Sequence, residues 1–163
     1  MIILGIDPGY AIVGYGVIEK IGNTTTCLDY GVITTHKDDT FPDRLVQIDD
    51  ALDYLIEKYK PDCLAIEELF FQNNQKTAIN VAEARGVIVV KAKKKIGKLF
   101  EYTPLQIKQA LTGQGRAEKA QVQYMVKAIL NLKEIPKPDD AADALAVAVC
   151  HSQTNQAIGN FKY

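Results

Sequence analysis

Two short apolar runs in this chain each end on a carboxylate. IILGI closes at Asp7, just before Pro8-Gly9, and CLAI closes at Glu67. Runs of this length and composition read as buried strands. A carboxylate at the end of such a run is costly to desolvate unless a cation or hydrogen bonds compensate it. If the two strands are adjacent and parallel, both acids emerge at the same edge of one sheet. That edge is where open α/β sheets place their ligands. The pair therefore points to an α/β sheet with an acidic C-terminal edge, and to chemistry that needs negative charge there.

The rest of the chain fits that frame. Residues 12–19 and 25–34 read as two further strands, rich in Val, Ile, Thr and Tyr, with Gly22-Asn23 as their turn. Leu45, Ile48, Leu52, Leu55, Ile56 and Tyr59 recur at helical spacing, and Pro61 stops that helix. A helix is expected over residues 74–95 and a fifth strand over 98–103. Two helices follow, over 104–111 and 117–131, separated by Gly113-Gln114-Gly115, and a last one over 139–152 after Pro136 and Pro138. No linker divides the chain, so residues 1–152 are expected to form a single domain and 153–163 a polar, frayed tail. No apolar run reaches the roughly 20 residues of a membrane helix, and the N-terminus lacks the basic start of a signal peptide. Cys27, Cys63 and Cys150 are too widely spaced for a disulfide framework or a zinc motif. A reducing cytoplasm is the expected location.

The last helix brings a second acidic pair. Asp140 and Asp143 are three residues apart and share one helix face. Ala141, Ala142 and Ala144 keep that helix slim enough to approach a sheet. Asp139 is expected as the N-cap after Pro138, which puts Asp140 in the first turn, where the helix dipole favours an ionised carboxylate. Asp7, Glu67, Asp140 and Asp143 would repel one another as a bare cluster. Divalent cations turn that cost into a binding site. Hard ions such as Mg²⁺ take oxygen ligands and keep water, and two of them about 4 Å apart clamp the attacking and leaving oxygens of a phosphodiester. Taken singly, Asp7 could serve as a turn residue and Asp140 as a second capping group. Glu67 and Asp143 have no comparable structural job. Glu68 alternates away from Glu67 and reads as solvated or supporting. His36 and His151 lack any triad context, although His151 could lie near the metal edge.

Charge is informative by segment. Residues 1–84 hold 6 Lys/Arg against 14 Asp/Glu, and residues 134–163 hold 2 against 4. Residues 85–133 hold 11 against 2, so a net charge of only −1 hides a strongly basic stretch. An acidic part that holds cations beside a basic part that attracts phosphates suits a metal-dependent phosphodiesterase. The run Lys93-Lys94-Lys95 by itself reads as a solvated helix face.

The segments IILGIDPGYAIVGYGVI, PDCLAIEELFFQNN, AEARGVI, QIKQALTGQGRAEKAQVQ and PDDAADALAVAVCHS follow one another over nearly the whole chain. On these residues the chain resembles the RuvC family, the bacterial Holliday-junction resolvases of the RNase H-like superfamily. The resemblance implies an α/β RNase H-like fold, with a mixed five-stranded sheet flanked by helices. It implies a homodimeric endonuclease that makes paired nicks in two strands of like polarity, leaving 5′-phosphate and 3′-hydroxyl ends. The motif-matched catalytic and metal-binding residues are Asp7, Glu67, Asp140 and Asp143, which would hold a pair of Mg²⁺ ions, with Mn²⁺ able to substitute. Four-way junction DNA is the implied substrate, and the branch-migration proteins RuvA and RuvB are the implied partners. Lys108 and Lys119 match positions that bind DNA or support cleavage. Arg116, with Gly115, precedes a helix start suited to a phosphate. Arg85 and Lys76 would add backbone contacts, and Phe70, rather than Phe71, would stack on an unpaired base. The helix over 74–92, with Ile79, Val81, Ala82, Val87, Ile88 and Val89, is apolar enough to serve both core and dimer interface.

Three rivals stay open. The hairpin GIDPGYAIVGYGVI is also similar to the phosphate-binding hairpin of actin-like ATPases, but 163 residues are too few for the two domains those need. Another RNase H-like nuclease would act on RNA–DNA hybrids or be a related small resolvase. A binding-only junction protein would not need all of the carboxylates.

Overall fold

The computed structural model describes residues 1–69 and 75–154, excluding the side chains of Gln75 and Lys76. Five strands form one mixed sheet in the order β3-β2-β1-β4-β5. They are β1 (Ile2–Asp7), β2 (Ile12–Ile21), β3 (Thr24–Thr34), β4 (Cys63–Glu67) and β5 (Leu99–Tyr102). β1, β2 and β3 form an antiparallel meander, while β4 runs parallel to β1 and β5 parallel to β4. The carboxyl ends of β1, β4 and β5 thus share one edge, as expected for Asp7 and Glu67.

Helix α1 (Phe41–Tyr59) covers one face of the sheet together with α2 (Gln75–Lys95); α3 (Pro104–Thr112), α4 (Lys119–Ile129) and α5 (Asp139–Gln153) pack on the other. Each helix has a local cause. Thr40 caps α1 by accepting from the Asp43 amide, Pro42 occupies its first turn, and Lys60 ends it with a left-handed backbone ahead of Pro61. Thr103 and Gln106 form a reciprocal capping box at the start of α3, and Gly113 closes it with φ 73°. Helix α4 starts two residues later than its apolar pattern suggests, because Gln121 accepts from the Glu118 amide and fixes the N-cap there. Asp139 is not the N-cap of α5, contrary to expectation. Pro138 holds that position, and Asp139 is the first helical residue.

The pleat divides the core. Ile3, Cys63, Ala65, Phe100 and Tyr102 face α5, whereas Leu4, Ile6, Leu64, Ile66 and Leu99 face α1 and α2. Strand side chains alternate, so Asp7 and Glu67 fall in the set that faces α5. Helix α5 lies directly on the strand backbones: a Cβ built on Gly5 would stand 2.2 Å from the Ala144 carbonyl oxygen, and one on Gly14 would stand 2.0 Å from that of Asp140. Glycine here permits the close approach of helix to sheet.

Candidate active site

Asp7 is the last residue of β1 and pairs across the ladder with Gly14. Gly14 supports the backbone of Asp140, so Asp140 is seated beside Asp7 in the first turn of α5. Glu67 ends β4 next to β1. Asp143, one turn further along α5, lines a cavity of about 200 Å³ with Glu67, Lys108 and Lys119. The structure brings the four sequence-predicted carboxylates to one edge.

The electrostatics follow from that crowding. Burial, then the charges of Glu67, Asp143 and Asp140, push the Asp7 carboxyl up to about 8. Burial and Asp143 push Glu67 up to about 7. Burial also raises Asp143, opposed by a hydrogen bond from Lys119. Lys119 Nζ lies 2.9 Å from Asp143 Oδ2 and 3.4 Å from Asp139 Oδ2. Burial works against the Lys119 ammonium, but Asp143 and Asp139 hold it above the usual lysine range. Lys119 and Lys108, the two ammonium groups that oppose this charge, cannot neutralise four carboxylates.

The donor set is all oxygen, which suits hard divalent cations. Among the described residues no three acids already stand together as a metal cage. Mutual repulsion opposes such closure, and part of the Asp143 charge is taken by Lys119. A divalent cation would reverse that balance, and the all-oxygen donor set fits such an ion.

Other expected site residues fall out differently. Lys108 reaches the cavity, and Arg116 is exposed in the turn ahead of α4. Glu118 caps that helix, so its N-terminus presents an acid beside any incoming phosphate. Arg85 is spoken for: its guanidinium pairs with Glu101 of β5, with side chains only 15% and 7% exposed. That pair engages Nη2 alone, so Arg85 has a buried structural partner beside the DNA backbone contact expected of it. Phe70 and Phe71 lie outside the described residues, as does the side chain of Lys76. Glu68 turns from the Glu67 face and donates its amide to the Tyr102 carbonyl. His36 is exposed. His151 sits toward the far end of α5 from the acids, 2% exposed, with Nδ1 2.7 Å from the Tyr102 hydroxyl. It is a core residue and not a neighbour of the acidic edge.

Sequence reasoning passed over two contributors. Asp139, read as a cap, shares Lys119 with Asp143 and accepts from Gln123. Gly14 sets the separation between α5 and Asp7. Its signal was legible, since a glycine inside a strand marks close backbone approach.

A β3-β2-β1-β4-β5 sheet with helices on both faces and a carboxylate cluster at the end of its central strands defines an RNase H-like nuclease. Comparison with known proteins narrows the class. The family model described as crossover junction endodeoxyribonuclease RuvC matches residues 3–151. A RuvC from Ruminiclostridium cellulolyticum is 56% identical, with both chains fully covered. The structure of Thermus thermophilus RuvC in complex with Holliday junction substrate superposes with a TM-score of 0.88 at 36% identity, covering 94% of this chain and 93% of that one. The yeast mitochondrial Holliday junction resolvase, at 14% identity and a TM-score of 0.69, shares the fold, covering 93% of this chain and 77% of its own. This chain belongs to the RuvC family of crossover junction endodeoxyribonucleases, as its sequence segments indicated. Among the described residues no helix is long and apolar enough to cross a membrane.

Proposed function

We propose that the chain resolves four-way DNA junctions as a homodimer, nicking two strands of like polarity symmetrically. Asp7, Glu67, Asp140 and Asp143 are assigned as the catalytic carboxylates that hold a pair of Mg²⁺ ions, with Mn²⁺ able to substitute. The observation that carries this reading is the shared face: the pleat turns Asp7 and Glu67 toward the helix bearing Asp140 and Asp143, with Lys108 and Lys119 beside them.

Bound cations supply Lewis acidity and a nucleophilic water at neutral pH. The carboxylates orient and charge-balance the site. Lys119 holds Asp143 before substrate arrives, and its ammonium then has a phosphate oxygen as an alternative partner. Lys108, on α3, approaches from the same side. Arg116, Lys76 and Phe70 extend the DNA surface, the first two by charge and the third by stacking. On α2, Ile79 and Val90 are exposed by 63% and 53%, an apolar surface suited to a two-fold partner. A junction is itself two-fold symmetric, and two matched cuts need two sites at a fixed separation. RuvA and RuvB are the proposed branch-migration partners, and residues 1–152 the proposed folding unit.

The test is cleavage of a synthetic mobile junction in Mg²⁺, beside linear duplex and an RNA–DNA hybrid. Paired, ligatable nicks on the junction alone, lost in Asp7→Asn with binding retained, are the expected result. Preferential cleavage of the hybrid would overturn the substrate assignment, and an active Asp7→Asn protein would overturn the site.

A further inference from the structure

The turn between Asp7 and β2 is tied down by residues that the proposed chemistry does not use. Thr35, 5% exposed, ends the β3 side of this edge. Its amide donates to the Ala11 carbonyl at 3.1 Å and its hydroxyl to the Tyr10 carbonyl at 2.7 Å. Two successive carbonyls of the turn are therefore held by one residue. Arg44, in the first turn of α1, donates from Nε to the same Thr35 hydroxyl at 2.8 Å. Its guanidinium lies over the Tyr10 ring, 4.8 Å from the centroid, and Phe41 packs edge-on to that ring at 6.0 Å. The turn is tight: a Cβ on Gly9 would stand 2.1 Å from the Ile12 carbonyl oxygen.

The arrangement has a direction. A hydroxyl that accepts from a guanidinium has its own hydrogen left for a second acceptor, here the Tyr10 carbonyl, and each bond polarises the next. Arg44 forms no ion pair among the described residues, although Asp38, Asp39 and Asp43 are close in sequence. Its polar work falls on the Thr35 hydroxyl and the Tyr10 ring. Both lead to the backbone that continues directly from Asp7, on the flank opposite Lys108 and Lys119.

We infer that Arg44, Thr35 and Tyr10 form a clasp that positions Asp7 for cation binding, making Arg44 and Thr35 positioning residues of the nuclease site. The inference rests on Asp7 being a metal ligand, as proposed above. Outer partners that orient a ligand commonly change metal affinity by about 10- to 100-fold when removed. A ligand held through its backbone belongs at the lower end of that range.

The experiment compares Thr35→Val, Arg44→Ala and Arg44→Lys with wild type and with Val46→Ala, a change at an exposed site on α1. Three quantities are read: the rise in melting temperature on adding Mg²⁺ without DNA, the Mg²⁺ concentration for half-maximal junction cleavage, and junction affinity in Ca²⁺. In Thr35→Val and Arg44→Ala, the half-maximal Mg²⁺ concentration should rise about tenfold and the thermal response should shrink, with junction affinity unchanged. Arg44→Lys should fail to rescue, because it keeps the charge but loses the planar stack and the Nε donor. Val46→Ala should match wild type. Should Arg44→Ala unfold, Thr35→Val and Arg44→Lys carry the comparison. Wild-type Mg²⁺ responses in Thr35→Val, full rescue by lysine, or a loss confined to junction affinity would each overturn the clasp. Asp7→Asn in parallel separates the two readings. If it keeps the full thermal response to Mg²⁺, the metal assignment fails. If it loses the response while Thr35→Val keeps it, only the clasp fails.

Discussion

Gly14→Ala is the sharpest single perturbation of the site. Gly14 carries no functional group, yet it separates the strand opposite Asp7 from the first turn of α5. The added Cβ would stand 2.0 Å from the Asp140 carbonyl oxygen and 2.5 Å from its carbonyl carbon, where ordinary contact begins at 3.4 Å. The gap must therefore open by about 1.4 Å. Strand β2 is hydrogen-bonded on both sides, so the start of the helix yields, and Asp140 moves away from Asp7 with it. A misplacement near 1 Å costs about 100-fold in rate. Overpacking costs about 1–3 kcal/mol of stability, or roughly 3–10 °C in a chain of this size. The expected variant is folded, binds junctions in Ca²⁺ like wild type, and cleaves about 100-fold more slowly. Gly16→Ala is the internal contrast. Its Cβ would meet chiefly the side chain of Leu145, with Cδ2 at 2.7 Å. It should lose stability while cleaving far better than Gly14→Ala. A Gly14→Ala protein with wild-type turnover, or two variants equally impaired, would refute the reasoning that Gly14 sets the distance between helix and acid.

Other expectations follow from the same contacts. Because the Asp7 carboxyl is raised from 3.8 to about 8, the folded protein holds a proton that the unfolded chain has lost, so metal-free stability falls as pH rises through that window. Asp7→Asn should therefore stabilise the metal-free protein at pH 8 and above by up to about 6 kcal/mol and have little effect near pH 4, as read by urea melts with and without EDTA. A destabilised Asp7→Asn at high pH would contradict this. His151 behaves in the opposite sense: burial, then Lys20, lowers it from 6.5 to about 4, so its contribution is intact above pH 6.5 and lost as pH falls toward 4. The difference in stability between wild type and His151→Phe should shift by up to about 3 kcal/mol across that range, and a flat difference would refute the account. Glu101→Gln leaves the Arg85 guanidinium buried without its counter-charge and should cost about 3 kcal/mol in chemical denaturation. A near-neutral result would refute a structural role for the pair.

Much of this was legible along the chain. Apolar runs ending in acids identified β1 and β4, helical spacing located α1, and proline and glycine marked the boundaries within a few residues. The elements were readable because alternation and 3.6-residue periodicity are local consequences of backbone geometry. The misses were also local in cause. Helix α1 begins at Phe41 because Thr40, Pro42 and Asp43 form a start signal upstream of the first apolar repeat. Asp139 was displaced from the cap by Pro138.

What the sequence determined by itself was the inventory: the strands and helices, four carboxylates at the ends of apolar elements, and a basic stretch to face phosphate. What only the tertiary structure decided was which groups meet. The parallel pairing of β1 and β4 put Asp7 and Glu67 on one face. The glycines of β1 and β2 let α5 descend onto them, Arg85 was paired with Glu101, and Lys119 was drawn to Asp143. These outcomes depend on pairings between residues 16 to 139 positions apart. Periodicity carries no information about such partners, because register and charge pairing are settled only when separate elements pack.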